Sequence, residues 1–288
     1  MIRQCAVPPA ERIRQIGNIV KGLMLNSENV YHTAAGVGVT AKPLQVKGRV
    51  LPNPLIQYGN NMIVKTDPLK ATWRTDRQKP HFLVAARIRC WAIVVIQTGN
   101  RRSDTLDPPM LGKFVQMYIG ECRSRGMDIG EPQSRTFINA TQGELLRAMD
   151  EANKHGVKFM FFITNNDVTD LHYHIKLHER KLQIVTQDCK MSSACDIIEK
   201  GKRQTLENLV NKSNMKTGGI NYTIGASAGE VGQRVLPPSC LVFGLSTSHP
   251  KPTGPVNKPS LSPSTLGVAA NIKIDPYDFV GDVLFVSP

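Results

Sequence analysis

Val157–Thr164 (VKFMFFIT) is a nearly unbroken apolar run, the pattern of a strand covered on both faces, since a half-exposed strand would alternate. A polar stretch, Asn165–Asp170, follows it. Next come a short helical pattern, a second strand-like run ending at Thr186-Gln187, and a longer basic helix that Gly218-Gly219 stops. Upstream, Trp91–Ile96 (WAIVVI) reads as another buried strand. Phe114, Met117, Tyr118 and Cys122 then share one helix face, and Gly126 ends that helix. Thr141-x-x-Glu144 has the spacing of a capping box ahead of Leu145, Leu146 and Met149, and Gly156 closes the segment. Strands alternating with helices predict an α/β domain with a doubly wound, largely parallel sheet.

The flanks follow other patterns. Pro8-Pro9 precedes Ile13, Ile16, Val20 and Leu23, an apolar stripe on a helix that proline can start. Val37–Lys47 is polar and strand-prone, and Gly48–Pro54 (GRVLPNP) is a rigid extended lead-in to the core. Beyond Asn221 the chain turns Gly-rich and then holds three strand-like runs: Cys240–Pro250, Leu266–Ile272 and Phe279–Val286. A Pro/Ser/Lys-rich loop, Lys251–Ser264, separates the first two. These runs open a second domain, and the final strand pattern has an edge without a partner, as in a truncated domain or a fragment. No internal repeat is visible.

Composition narrows the function classes. Hydrophobic residues make up 41% and charged residues 20%, which excludes wholesale disorder. Lys and Arg number 36 against 23 Asp and Glu, a net charge of +13 that favours polyanion partners such as nucleic acid. The six cysteines are scattered without a CxxC pair, which suits free thiols in a reducing cytosol or nucleus. No run approaches the ~18 apolar residues of a membrane span. Neither GxGxxG nor GxxxxGK[ST] follows a strand, so the fingerprints of a nucleotide-using α/β enzyme with its phosphate at the 164–172 loop are missing.

The candidate chemistry centres on the junction from Thr164 to His172. In open α/β sheets, the strand–loop–helix junction collects unpaired N–H groups and the positive helix end, a setting for an anion. His172 and Lys176 are i, i+4 on the helix that follows, and Lys212 and Lys216 are i, i+4 on the later one. With Gln187 they would hold a phosphate through charge-assisted hydrogen bonds, and the junction reads as a pocket for the 5′ phosphate of an RNA strand. The competing reading of the lysines is a solvated helix face. His172, His174 and His178 with Cys189 and Cys195 carry zinc-ligand chemistry, the basis of a zinc-stabilised interaction domain as an alternative. The first two histidines point to different faces, however, and no tight CxxC knuckle exists. Trp91 reads as core, and Trp73 as packed in a small satellite cluster. Asp275, Asp278 and Asp282 read as turn and strand-end residues.

Arg49-Val-Leu-Pro, Trp91-Ala-Ile, His172-x-x-Ile-Lys176, Thr186-Gln187, Asn214–Asn221 (NMKTGGIN) and Gly244–Pro250 (GLSTSHP) resemble, in this order and spacing, an Argonaute. The resemblance covers nearly the whole chain. It implies a linker 2-like connector over 1–48, a Rossmann-like MID domain over 49–222, and over 223–288 the first strands of an incomplete, RNase H-like PIWI domain. It also implies a small single-stranded guide RNA as partner and, through it, a target RNA, with silencing cofactor proteins and no membrane. By motif match, Lys176, Gln187, Lys212 and Lys216 would clamp the guide's 5′ phosphate. His172 stands where the family has a stacking tyrosine, a version that resembles the worm-specific branch. Asn165, Asn166, Asp167 and Thr169 match the loop that inspects the first base. Asp188 replaces a frequent cysteine, and Lys176 to Gln187 is one residue shorter than the family spacing. Slicing members bind two divalent ions through carboxylates, the first in Gly-x-Asp-x-Thr-His-Pro; here that position is Ser246, so the resemblance implies no slicing, no metal site and no cofactor.

Overall fold

The computed structural model of the chain describes residues 6–26, 28–40, 42–50, 52–75, 78–99, 105–166, 168, 171–225, 236–237, 239–249, 263–272 and 275–286. Two compact units are present, 1–51 and 52–288. In the first, helix α1 (Pro9–Gly22) starts at Pro8-Pro9 as expected, and α2 (Val30–Ala34) is capped by Asn29 Oδ1, which accepts from Tyr31 N and His32 N. Ile13, Ile16 and Val20 of α1 line a cavity of about 610 Å³ together with Val39. The strand expected within Val37–Lys47 does not form among the described residues of that stretch. A lone strand has no ladder to satisfy its backbone, and among the described residues none pairs with this stretch.

The second unit begins with β1 (Leu55–Gln57) and β2 (Ile63–Lys65), followed by β3 (Arg87–Ile88) and β4 (Trp91–Gln97). Then come α3 (Pro108–Ser124), β5 (Asp128–Ile129), β6 (Ser134–Asn139), α4 (Gln142–Lys154), β7 (Phe159–Thr164) and α5 (Leu171–Leu182). The chain continues through β8 (Val185–Lys190), α6 (Met191–Lys200), α7 (Arg203–Lys216), β9 (Thr223–Gly225), β10 (Phe243–Ser248), β11 (Ser264–Ala270) and β12 (Val280–Val286). The central sheet has the order β6-β4-β7-β8 and is parallel throughout. Alternate residues of β4 and β7 feed two cores. Trp91, Ile93, Val95, Phe159, Phe161 and Ile163 pack on α3, α6 and α7, whereas Ala92, Val94, Ile96, Met160 and Phe162 pack on α4 and α5. Both faces are therefore covered, which is why β4 and β7 read as continuous apolar runs.

Three expectations need correction. The second strand-like run continues to Lys190, past Gln187, because the polar residues Asp188 and Lys190 still pair with Phe162 and Thr164 of β7. The single basic helix is two helices, α6 and α7, broken where Gly201 takes φ +60°. The capping box is half made: Thr141 Oγ1 accepts from Glu144 N at 3.3 Å, but the Glu144 carboxylate reaches back to Asn139 N at 2.7 Å instead of to the cap residue. Trp73 joins the expected satellite cluster, its Nε1 donating to Tyr58 Oη and its ring edge-on to Tyr222. The three late runs form an antiparallel sheet, β10-β11-β12.

Candidate phosphate site

Strand β8 is the edge of the central sheet, and the candidate residues gather along it. Its even-numbered side chains face α5. Lys176, one turn into α5 from His172, donates from Nζ to Thr186 Oγ1 at 3.0 Å and to Glu179 Oε2 at 2.6 Å. Thr186 Oγ1 donates in turn to the same Glu179 oxygen at 2.6 Å. From the other side Lys216, at the end of α7, donates from Nζ to the Thr186 carbonyl at 2.9 Å. Two ammonium groups on different helices thus meet at one strand residue, and Gln187 is its neighbour. Gln187 is buried; its Nε2 donates to the Asp188 carbonyl at 2.7 Å, while its Oε1 finds no partner among the described residues. Lys212 is exposed one turn before Lys216.

The charges are close enough to alter one another. The Lys216 ammonium is held below the ordinary lysine range, first by burial and then by the like charge of Lys176, with Lys212 adding to the effect. Glu179 and Asp188 pull in the opposite direction. Lys216 is aimed by scaffold that also accounts for the NMKTGGIN motif. Asn214 accepts from Ala86 N at 2.8 Å and donates to Val84 O and Asn221 Oδ1, while Gly218 takes φ +93° to turn the chain off the helix. At Gly219 a side chain would collide with Asn214.

His172 lies toward the carboxyl ends of the strands. It lines a cavity of about 320 Å³ with Thr164, Val168, Tyr173, Ile175, Asp188 and Lys190. Thr164 Oγ1 donates to Asp188 Oδ1 at 3.0 Å and fixes that carboxylate on the cavity wall. Of the expected first-base loop, Asn165 is buried and acts within the scaffold: its Oδ1 accepts from Thr98 N at 2.9 Å, tying the ends of β4 and β7. Asn166 is exposed and exchanges hydrogen bonds with Ser192 Oγ at the start of α6. Asp167 and Thr169 lie outside the described residues. Three residues at the site had no role in the sequence reading, Thr186 among them although its motif was noted. Thr186 bridges the lysines, Glu179 pairs with Lys176, and Lys190 lines the His172 cavity. The i, i+3 spacing of Lys176 and Glu179 and the period-two alternation of Thr186, Asp188 and Lys190 were the available signals.

Among the described residues no three His, Cys, Asp or Glu side chains are grouped to hold a metal ion, so the zinc reading finds no cluster. Burial also pushes the Cys189 thiol up to about 12, away from the thiolate that zinc needs. Asp275 caps a turn through Tyr277 N, in line with its reading as a turn residue, whereas Asp282 lies inside β12 opposite Val268 and pairs with Arg180 of α5 at 2.6 Å. Ser246 lies on β10 opposite Gly267 of β11 and is exposed. Among the described residues no helix is long and apolar enough to cross a membrane.

Comparison with known proteins adds an independent line. Residues 158–287 match the Piwi domain family, a match that begins just ahead of β7 and takes in the candidate site. The chain is 32% identical to Argonaute protein wago-4 of Caenorhabditis elegans, covering 99% of this chain and 28% of that protein. It is 30% identical to Argonaute protein wago-1 of the same organism, covering 97% and 28%. The chain therefore spans under a third of these relatives. Among solved structures it resembles Kluyveromyces polysporus Argonaute with a guide RNA (TM-score 0.64, 16% identity, 98% of this chain and 32% of that one). Drosophila Piwi gives the same TM-score at 14% identity, over 98% of this chain and 36% of that one, and both likenesses are of fold.

Proposed function

The chain belongs to the Argonaute family, and on that footing we propose that it binds a small single-stranded guide RNA by its 5′ phosphate, in RNA-mediated gene silencing. In this reading 49–222 is the MID domain, 223–288 the start of PIWI, and 1–48 a linker. The observation that carries it is the convergence of Lys176 and Lys216 on Thr186, with Gln187 adjacent and Lys212 one turn away. A terminal phosphate bears close to two negative charges and three acceptor oxygens, and it would accept from both ammonium groups at once. A 5′ hydroxyl offers neither. The imidazole of His172 is exposed on the wall of a cavity that Asp188 and Lys190 of β8 also line, separate from the cavity that Lys216 lines, and from there it can stack on the first base.

The same reading leaves the protein without slicing activity. Two-metal phosphodiester hydrolysis needs carboxylates that bridge both ions, and a serine hydroxyl at Ser246 supplies no charge. Target RNA would then be held by base pairing with the guide, with repression left to recruited proteins. One set of measurements tests both statements. Lys176→Ala and Lys216→Ala are expected to weaken 5′-phosphorylated RNA at least tenfold, the loss of a charged hydrogen bond, while 5′-hydroxyl RNA changes little. With Mg²⁺ and a complementary target, the unaltered protein should leave the target intact. Equal losses for both RNAs would reduce the site to a basic surface, and a cut target would refute the assignment of Ser246.

A further inference from the structure

The lysine closest to β8 is already engaged. Lys176 Nζ, Thr186 Oγ1 and Glu179 Oε2 form a closed triangle with edges of 3.0, 2.6 and 2.6 Å. Glu179 accepts from both of the other groups, so its carboxylate holds an ammonium hydrogen and the Thr186 hydroxyl hydrogen together. This differs from an ordinary i, i+3 pair on a helix surface, which touches nothing but its own helix. Here the carboxylate is tied to a strand residue whose carbonyl receives Lys216 from the opposite side. Glu179 is half-buried, with 26% of its side chain exposed, and it also acts on Lys216 by supporting the charged form. In charge and in hydrogen-bond geometry it fills the place of an anion.

Resting on the reading of this pocket as a 5′-phosphate clamp, we propose that Glu179 is an internal competitor for that phosphate. Its carboxylate stands in for the guide's terminal anion on Lys176 and Thr186 while the pocket is empty, and it sets how tightly the guide is held. An arriving phosphate takes the Lys176 ammonium from Glu179. The carboxylate then either turns toward solvent or remains beside a dianion, and both arrangements subtract from affinity. The empty site meanwhile avoids leaving three lysines unopposed. Tightness and guide exchange are therefore adjusted at one residue that itself makes no favourable contact with RNA.

The test compares Glu179→Gln with the unaltered protein on 5′-phosphorylated and 5′-hydroxyl forms of one RNA. Glutamine keeps the size of the side chain and a hydrogen-bond acceptor for Thr186, and a thermal melt checks that folding is intact. The expected result is binding of 5′-phosphorylated RNA about three- to fivefold tighter, the range of a partly exposed ion pair, with a slower off-rate and unchanged 5′-hydroxyl binding. The gain should vanish when Lys176→Ala is already present. Glu199→Gln, which removes an exposed charge on α6, should not reproduce it. Weaker binding of 5′-phosphorylated RNA would overturn the proposal and make Glu179 a positioning residue for Lys176. No change, or an equal gain for both RNAs, would overturn it as well. Should the unaltered protein itself ignore the 5′ phosphate, the clamp reading falls with it, and that outcome is recognisable before any variant is made.

Discussion

Lys216 shows how one side chain would carry the conflict of the proposed binding pocket. Its ammonium reaches the Thr186 carbonyl of β8, but burial and Lys176 both disfavour the charge there. Its proton is thus held less firmly folded than unfolded. The sign follows: the charged lysine costs the free protein stability near neutral pH, and that cost lifts as pH rises through the lowered value. A bound phosphate acts the other way and favours the ammonium. The preference for 5′-phosphorylated over 5′-hydroxyl RNA should therefore be full near neutral pH and fade as pH rises, sooner than an ordinary lysine would allow. Lys216→Arg, which does not titrate in this range, should shift that fade upward even where its shape lowers overall affinity. Binding curves for the two RNAs at several alkaline pH values check this, and a fade unmoved by arginine would assign the titration to another group. The lysines themselves were legible as i, i+4 pairs. What surrounds them was not: Asn165 reads as loop and is a buried tie, because only the fold brings Thr98 N to its side chain.

Among the elements, legibility followed burial. Strands β4 and β7 declared themselves because both faces are covered, and glycines 126, 156 and 218 mark helix ends because each adopts positive φ there. Strand β6, Ser134–Asn139, passed unnoticed: it is the other sheet edge, largely exposed, and its polar composition matches a loop. The ionic part of the join of α3 to α7 was equally hidden, beside the apolar contacts the two helices share. Arg125 donates to Glu121 at 3.0 Å and to Glu207 of α7 at 2.9 Å, all three buried, while Lys79 reaches Glu121 at 2.6 Å. Burial alone would push the Glu121 carboxyl up, yet Lys79 and Arg125 outweigh it and hold the group below its usual value. Glu121 thus adds stability above the ordinary glutamate range, and that contribution is lost as pH falls through the lowered value. Arg125→Met takes the guanidinium from both buried carboxylates, leaving Glu121 with Lys79 as its remaining cation, and should cost about 3–5 kcal/mol in denaturant unfolding. Replacing Glu121 and Glu207 by apolar residues in the same chain should recover much of that loss. A small effect of Arg125→Met alone would mean that water already reaches the network.

For the molecule as a whole, the net charge of +13 and the proposed local clamp would make different claims on RNA, and salt would separate them. Diffuse attraction between a basic surface and the phosphate backbone releases counterions, so affinity for any single strand falls with a log–log slope of about −0.7 per neutralised phosphate. A terminal phosphate gripped by Lys176, Lys212 and Lys216 adds to that slope only when the 5′ phosphate is present. The slope for 5′-phosphorylated RNA should accordingly be steeper than for 5′-hydroxyl RNA by about one phosphate's worth, ~0.7. Lys212 is exposed and, among the described residues, acts on Lys216 through space, with no hydrogen bond to the strand. Lys212→Ala should narrow the difference between the two slopes while leaving folding stability within about 0.5 kcal/mol of the unaltered protein. Changing another exposed lysine, such as Lys154 of α4, should lower both slopes together or neither. If the two RNAs gave one slope, the charge of the chain would be acting as a uniform field, and the meeting of two helices at Thr186 would have no ligand to explain it.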